Sequence, residues 1–248
     1  MPPRVGTSGW SYRWWWGRFY PRATKPGDWL SFYARRFDAV ELNASFYRLP
    51  PPERFAHWRD AVPDGFLFAV KAPRVITHLK KLRDCAQPLR DFLQAAAHLR
   101  DRLGPILFQL PPSLHLDLPR LEAFLHALPR PLPNNATPVF EFRHESWFTP
   151  ALRTLLDAHA AVFCVHDHGG LATPRWRTGP MAYWRFHGTG ERGKCYGEDG
   201  LKEAAAHLAS LAMSGTAVFA FFNNDANACA VQDAEALRKL LQEESATG

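Results

Sequence analysis

The sequence predicts a single α/β domain with the (β/α)8 TIM-barrel fold, on three observations. Eight short apolar or alternating runs read as strands, helical patterns lie between most of them, and 248 residues is the length that one such barrel occupies. No composition break, linker or repeat divides residues 1–248, and the 21 prolines fall between periodic segments. An open doubly wound sheet is the structural alternative.

In chain order the predicted strands are Arg4 to Gly9, Ala39 to Asn43, Phe66 to Lys71, Ile106 to Leu110, Pro138 to Arg143, Val162 to His166, Ala182 to His187 and Ala217 to Asn223. Helix starts are marked by Asp28 ahead of WLSFYARRF, Pro52 ahead of ERFAHWRDAV, Asp117 ahead of RLEAFLHAL and Thr149-Pro150 ahead of ALRTLLDAHA. An Asp or Thr side chain accepts from the first unpaired amides, and a proline in the first turn loses no helical hydrogen bond. Gly104 and Gly215 stand where helices should stop. Asp167 to Pro180 is too short and too rich in Gly and Pro for a regular helix, so the sixth βα connection is predicted to be a loop. Asp233 to Glu244 reads as the last outer helix, its alternating charges suited to solvent.

Composition narrows the class. A chain 46% hydrophobic and 22% charged can bury a large core, which excludes disorder, a collagen-like fibre and a disulfide mini-scaffold. No apolar run approaches the roughly 20 residues of a membrane helix, and Met1 to Gly9 lacks the apolar centre of a signal peptide. A cytoplasmic protein without membrane association is expected. Cys85, Cys164, Cys195 and Cys229 are scattered singly, which predicts neither a disulfide framework nor a zinc ribbon but buried or incidental thiols. Thirty Lys plus Arg against 24 Asp plus Glu gives +6, a balance that favours an anionic partner.

Barrel active sites are built at the carboxyl ends of the strands, and these strand ends are polar. Strand two ends Val40-Glu41-Leu42-Asn43, strand five Phe140-Glu141-Phe142-Arg143-His144, and strand seven Trp184-Arg185-Phe186-His187-Gly188. Alternation puts Glu41 with Asn43, Glu141 with Arg143, and Arg185 with His187 on single faces, toward the barrel axis. Lys71, Gln109, His166 with Asp167, and Asn223, Asn224 and Asp225 add to the same mouth. Glu141 could simply neutralise Arg185 or Lys71, but so many charges in one layer point to a functional pocket.

The content of that pocket limits its chemistry. Lys71, Arg143 and Arg185 suit phosphate or carboxylate, Arg as a bidentate fork and Lys as a point charge. Glu41 and Glu141 suit either general acid and base or, with Asp167, one divalent metal ion; the cofactor stays open. His166-Asp167-His168 is the nearest thing to a metal motif, and no phosphate loop, G-x-G-x-x-G or G-x-S-x-G elbow occurs. The loop from Trp10 to Pro21 mixes aromatics with Arg13 and Arg18, a composition that either stacks on bases or sugars or plugs the barrel end. Lys71 to Lys81 extends a basic rim.

Several motifs together resemble the YecE-like family, a TIM-barrel domain of unknown function. They are Gly6-Thr7-Ser8-Gly9-Trp10-Ser11-Tyr12 with Phe19-Tyr20-Pro21, Val40-Glu41-Leu42-Asn43 with Phe46-Tyr47, Lys71 with Thr77-His78, and Phe108-Gln109-Leu110-Pro111-Pro112-Ser113. Glu141-Phe142-Arg143-His144 with Trp147, Arg185-Phe186-His187-Gly188 and Phe222-Asn223-Asn224-Asp225 complete the set, which spans the chain. The resemblance implies a TIM barrel and a distant likeness of fold to the endonuclease IV and xylose isomerase barrels, which bind metal ions through carboxylates and histidines. This sequence departs from the endonuclease IV pattern by placing Lys71, Arg143 and Arg185 where a trinuclear site wants His, Glu or Asp.

The leading expectation is a hydrolase of phosphodiesters in DNA or RNA: Lys71, Arg143 and Arg185 hold the phosphate, and Glu41 or Glu141, with or without a metal, activates water. A second is an isomerase or lyase for a small phosphorylated sugar, with Lys71 or Glu141 as base and His187 as partner. A third is a non-catalytic binder of an anionic metabolite. The substrate-binding candidates are Trp10, Tyr12, Asn43, Tyr47, His78, Gln109, Arg143, His144, Trp147, Arg185, Asn223 and Asn224. No protein partner is inferable.

Overall fold

The computed structural model describes residues 2–171, 173–189 and 194–247. Its strands are β1 (Arg4–Thr7), β2 (Ala39–Leu42), β3 (Leu67–Lys71), β4 (Leu103–Gln109), β5 (Pro138–Glu141), β6 (Val162–His166), β7 (Met181–Phe186) and β8 (Ala217–Phe222), all pairing in parallel. They run from β2 in sequence order round to β8, which pairs with β1. A parallel bridge between Ser8 and Glu41 and a 2.8 Å bond from the Gly9 amide to the Glu41 carbonyl close the ring at its carboxyl end. The result is a TIM barrel, as the strand count predicted.

The β1–β2 seam depends on Gly6, because a Cβ there would lie 2.1 Å from the Ala39 carbonyl oxygen. Neighbouring backbones approach that closely only where no side chain stands between them.

Helices α1 (Trp29–Tyr33), α3 (Pro52–Asp60), α4 (Ala86–Ala96), α5 (Leu118–Ala127), α6 (Pro150–Ala158), α7 (Gly197–Met213) and α8 (Cys229–Thr247) form the outer layer, and the short α2 (Ala44–Tyr47) lies at the carboxyl end of the barrel, its Ser45 bonded to the Lys71 carbonyl. Asp117 and Thr149 cap as expected, accepting from the amides of Arg120 at 3.1 Å and Leu152 at 3.2 Å. Pro52 opens α3, whereas α1 is shorter than the pattern after Asp28 suggested. The β6–β7 connection holds, among its described residues, no helix longer than the single turn at His168–Gly170, as its Gly and Pro content predicted.

Two expectations are corrected. Gly215 follows the end of α7, but Gly104 terminates no helix: it is the second residue of β4, and a Cβ there would crowd the Phe68 carbonyl oxygen at 3.2 Å. The chain leaves its helical course at Arg100, whose φ is 51°. The second correction is a disulfide between Cys195 and Cys229, where isolated thiols were expected. Strands β7 and β8 are neighbours, so the segments that follow them lie side by side and bring together cysteines 34 residues apart. Cys85 and Cys164 are buried free thiols.

Burial follows the period-two pattern of the strands. One face of each packs on the helices, and the other fills the barrel with Ala39, Ala69, Leu107, Val139, Val162, Cys164, Tyr183, Phe219 and Phe221. One step further along each strand the inward residues turn polar. Among the described residues no helix is long and apolar enough to cross a membrane.

Candidate functional site at the barrel mouth

The polar layer is built by strand ends that alternate inward. Glu41, Lys71, Gln109, Glu141, His166 and Arg185, from six strands, are all buried there. At the centre the Arg185 guanidinium spans the barrel, with Nη2 donating to Glu41 Oε1 at 2.7 Å and Nη1 to Glu141 Oε2 at 2.5 Å. Ser8 Oγ and Tyr183 OH each donate to Glu41 at 2.7 Å, and Arg143 Nε donates to the remaining oxygen of Glu141. Every carboxylate oxygen of the pair therefore has a donor.

These contacts set the ionisation. Burial pushes Glu41 up, but the Arg185 charge and the bonds from Ser8, Arg185 and Tyr183 outweigh it and hold the carboxyl below its ordinary value. Burial likewise opposes Glu141, yet Arg143 and Arg185 together hold it well below the carboxylate range. Both are anions whose role here is to fix Arg185 and Arg143, the neutralising arrangement that the sequence had left open.

Around this core lie groups with spare capacity. Lys71 Nζ rests 4.0 Å from the centre of the Phe46 ring, and among the described residues it has neither a hydrogen-bond nor an ion-pair partner. Burial and then the Arg185 charge pull its pKa down to about 8. His187 takes its orientation from Asp167, whose Oδ1 accepts from the His187 amide at 2.8 Å and faces Nδ1 at 3.3 Å. Burial lowers its pKa to about 4, so the ring is neutral, with Nδ1–H toward Asp167 and the Nε2 lone pair receiving Arg143 Nη2 at 3.1 Å. Tyr196 OH donates to the other oxygen of Asp167 and accepts from the Gly188 amide at 2.7 Å. His78, beside Phe46, is also lowered to about 4 by burial and then by Lys71.

Two clefts flank the mouth. One of about 430 Å³ is lined by Trp10, Tyr12, Asn43, Tyr47, Trp58 and Arg54, among others, and into this neighbourhood Asn43 brings a buried Oδ1 without a hydrogen-bond partner. The other, about 480 Å³, is lined by Lys80, Lys81, Arg83, Arg120, Asp117 and His115, and His115 stacks on His144 at 3.8 Å, next along the chain from Arg143. The aromatic loop after β1 divides its work: Trp15 is fully buried against Tyr12, Phe19 and Tyr20 and donates to the Asp225 carbonyl at 2.9 Å, whereas Trp14 and Trp16 are exposed.

Not every candidate reaches the mouth. Trp147 is a correction: it is wholly buried, donates to the Leu114 carbonyl at 2.7 Å and packs on Phe142, so it supports the loop from within the core. Asn224 is also buried, donating to Asp233 at 2.7 Å, whereas Gln109 stays in the polar layer and donates to the Leu110 carbonyl at 3.1 Å. Asn223 donates its backbone N–H to the Phe186 carbonyl at 2.7 Å. Sequence reasoning missed Tyr183, which its spacing two residues before Arg185 on one strand face could have revealed. It also missed Trp58, Arg54 and Tyr196, which no strand pattern marks.

The mouth does not suit a divalent metal. All the oxygens of Glu41 and Glu141 accept from Ser8, Tyr183 or an arginine, both oxygens of Asp167 are engaged, and two guanidiniums lie where the ion would sit. Elsewhere, Glu122, His126 and His159 bring ligand atoms within 4.8 Å of one another on the exposed edge of α5 and α6.

Comparison with known proteins agrees on the whole chain. The family described as "Protein of unknown function DUF72" matches residues 4–247. The UPF0759 protein YunF of Bacillus subtilis is 26% identical over 96% of this chain and 94% of its own. The UPF0759 protein YecE of Escherichia coli is 40% identical over 101 residues, 40% of this chain and 37% of that protein. A DUF72 family protein from Thermotoga maritima superposes with a TM-score of 0.87 at 29% identity, covering 98% of this chain and all of that one. A xylose isomerase domain containing protein from Salmonella typhimurium, at 11% identity and a TM-score of 0.55 over 88% of this chain and 92% of its own, shares the fold alone.

Proposed function

The chain belongs to the DUF72 family, and from that premise we propose that its barrel mouth binds and hydrolyses a phosphodiester, in a strand of DNA or RNA. The observation that carries this reading is the pairing of Lys71 with Arg143. The buried layer sets Arg185, Arg143 and Lys71 against Glu41 and Glu141, with Asp167 held at its rim by His187 and Tyr196, and among the described residues Lys71 has neither a hydrogen-bond nor an ion-pair partner. A phosphate is the ligand that such a point charge beside a guanidinium fork accommodates.

Each neighbour then has a role. Arg185 does not reach the substrate; it holds Glu41 and Glu141 rigid, and Glu141 aims Arg143. A phosphate oxygen that draws Arg143 Nη2 away from His187 frees the Nε2 lone pair, and the ring, held by Asp167, takes the proton of the attacking water as its oxygen bonds to phosphorus, while the P–O bond to the leaving sugar breaks and that oxygen takes a proton from solvent. The base role expected of Glu41 or Glu141 passes to His187, because both carboxylates are saturated. The flanking clefts support a polymer over a small ester: aromatic faces on one side suit bases, and Lys80, Lys81 and Arg83 on the other suit further phosphates.

The test is cleavage of labelled single-stranded, duplex and abasic-site oligonucleotides by the purified protein, with and without chelator, beside Arg143→Met and His187→Gln. Expected are cleavage indifferent to chelator, binding weakened at least 10-fold by the first variant and a fall in kcat with the second. Affinity that does not change between 50 and 200 mM salt, where each released phosphate counterion should matter, rejects the polynucleotide.

A further inference from the structure

A buried lysine that only stabilises a fold is ordinarily paired, because an unpartnered ammonium loses hydration and gains nothing in return. Lys71 departs from that pattern: with Glu141 close by, its ammonium has among the described residues no hydrogen-bond or ion-pair partner, only the cation–π contact with Phe46. Glu141 spends both oxygens on Arg143 and Arg185, and Lys71 is left against the face of Phe46. Its position is nonetheless fixed: the Lys71 carbonyl accepts from Ser45 Oγ at 2.6 Å, and β3 pairs with β4 at Lys71 and Leu107. With 9% of its surface exposed, it is reachable from the mouth and otherwise screened from water. An amine so placed is built for covalent chemistry.

We propose that Lys71 is a carbonyl-capturing amine, which condenses with the aldehyde or ketone of a phosphate ester while Arg143 holds the phosphate. The assignment of the phosphate to Arg143 rests on the anion-binding reading of this same mouth. Two sources present this chemistry, an open-chain sugar phosphate and the ring-opened sugar of an abasic nucleotide.

The step balances without a co-reactant. The Nζ lone pair attacks the carbonyl carbon, the carbonyl π pair moves to oxygen, both amine protons leave with that oxygen as water, and a C=N bond remains. The imine withdraws electrons from the neighbouring carbon, and His187, neutral and held by Asp167, is the base at hand for the proton there. The charges facing Nζ are Glu41, Glu141, Arg143 and Arg185, with His78 neutral beside Phe46, and their balance with burial leaves about a tenth of the amine unprotonated at pH 7, far more than in an exposed lysine.

The experiment incubates the full chain with sodium cyanoborohydride and either glycolaldehyde phosphate or an oligonucleotide carrying one abasic site, then maps labelled lysines by mass spectrometry. Lys71 should be alkylated at least ten times faster than the exposed Lys25 and Lys202, and the probe that labels it identifies the source. Inorganic phosphate should protect it, and unphosphorylated glycolaldehyde should label it more slowly. The comparison is made within one chain, so it does not depend on the folding of a variant; Lys71→Arg should remove only this label. Labelling of Lys71 no faster than of Lys25 and Lys202 with both probes overturns the proposal, even where inorganic phosphate is seen to bind. Fast labelling that phosphate neither promotes nor blocks overturns the phosphate-ester assignment and the anion-binding reading with it.

Discussion

Glu141→Gln tests the central network most directly. The substitution keeps the shape of the side chain but removes the charge between Arg185 Nη1, at 2.5 Å, and Arg143 Nε, both almost wholly buried. Arg185 retains Glu41, whereas Arg143 loses the one carboxylate that it meets among the described residues and keeps His187. Leaving a buried cation uncompensated costs about 3–5 kcal/mol, and the remaining amide oxygen should put this case near the lower end, about 3 kcal/mol. That is a large part of a domain's net stability and corresponds to a fall in Tm of roughly 6–12 °C for a chain of this size. Urea unfolding at pH 7 should show a lower midpoint at an unchanged slope. In a double-mutant cycle, Glu141→Gln with Arg143→Met should cost at least about 2 kcal/mol less than the two single changes summed, because the second removes the charge the first exposed. A loss below about 1 kcal/mol for Glu141→Gln, or simple additivity in the cycle, would refute the view that these charges hold one another in place.

Three further outcomes are expected. His187 has a pKa of about 4 in the fold against 6.5 ordinarily, so the unfolded chain binds a proton that the native ring refuses; its contribution is complete above pH 6.5 and drains away as the pH falls toward 4. Up to about 3 kcal/mol is involved, and urea midpoints at pH 7.5, 6 and 4.5 should fall less steeply in His187→Gln than in the wild type. Gly6→Ala should destabilise by about 3 kcal/mol or more, since its Cβ meets the Ala39 carbonyl at 2.1 Å and backbone cannot step aside; a thermal scan showing a native Tm would contradict this account of the seam. Reducing the Cys195–Cys229 bridge, which closes a loop of 34 residues, should lower stability by about 2–4 kcal/mol, read as a drop in Tm on adding dithiothreitol that is absent from Cys195→Ser.

The barrel was legible because its signals are local. A strand with one face on helices and the other in a barrel interior must be apolar along its length and turn polar only where it leaves the core, and that change is visible at Glu41, Lys71, Glu141 and Arg185 in the bare chain. Helix starts at Asp117 and Thr149 were equally plain, since a cap bonds to an amide three residues away. Trp147 misled for the same reason: beside a polar strand end, an aromatic residue reads alike whether it faces the mouth or supports the loop from beneath.

What residue types line the mouth was therefore settled by the sequence, through the period-two alternation of its strands. Which charge meets which was decided only in three dimensions. Arg185 lies on β7, Glu141 on β5 and Glu41 on β2, and the three meet because a closed eight-stranded barrel is narrow enough for side chains from non-adjacent strands to touch across its axis. The same closure set Lys71 against Phe46 and joined Cys195 to Cys229, because these contacts depend on the position of strands around the ring and not on their spacing along the chain.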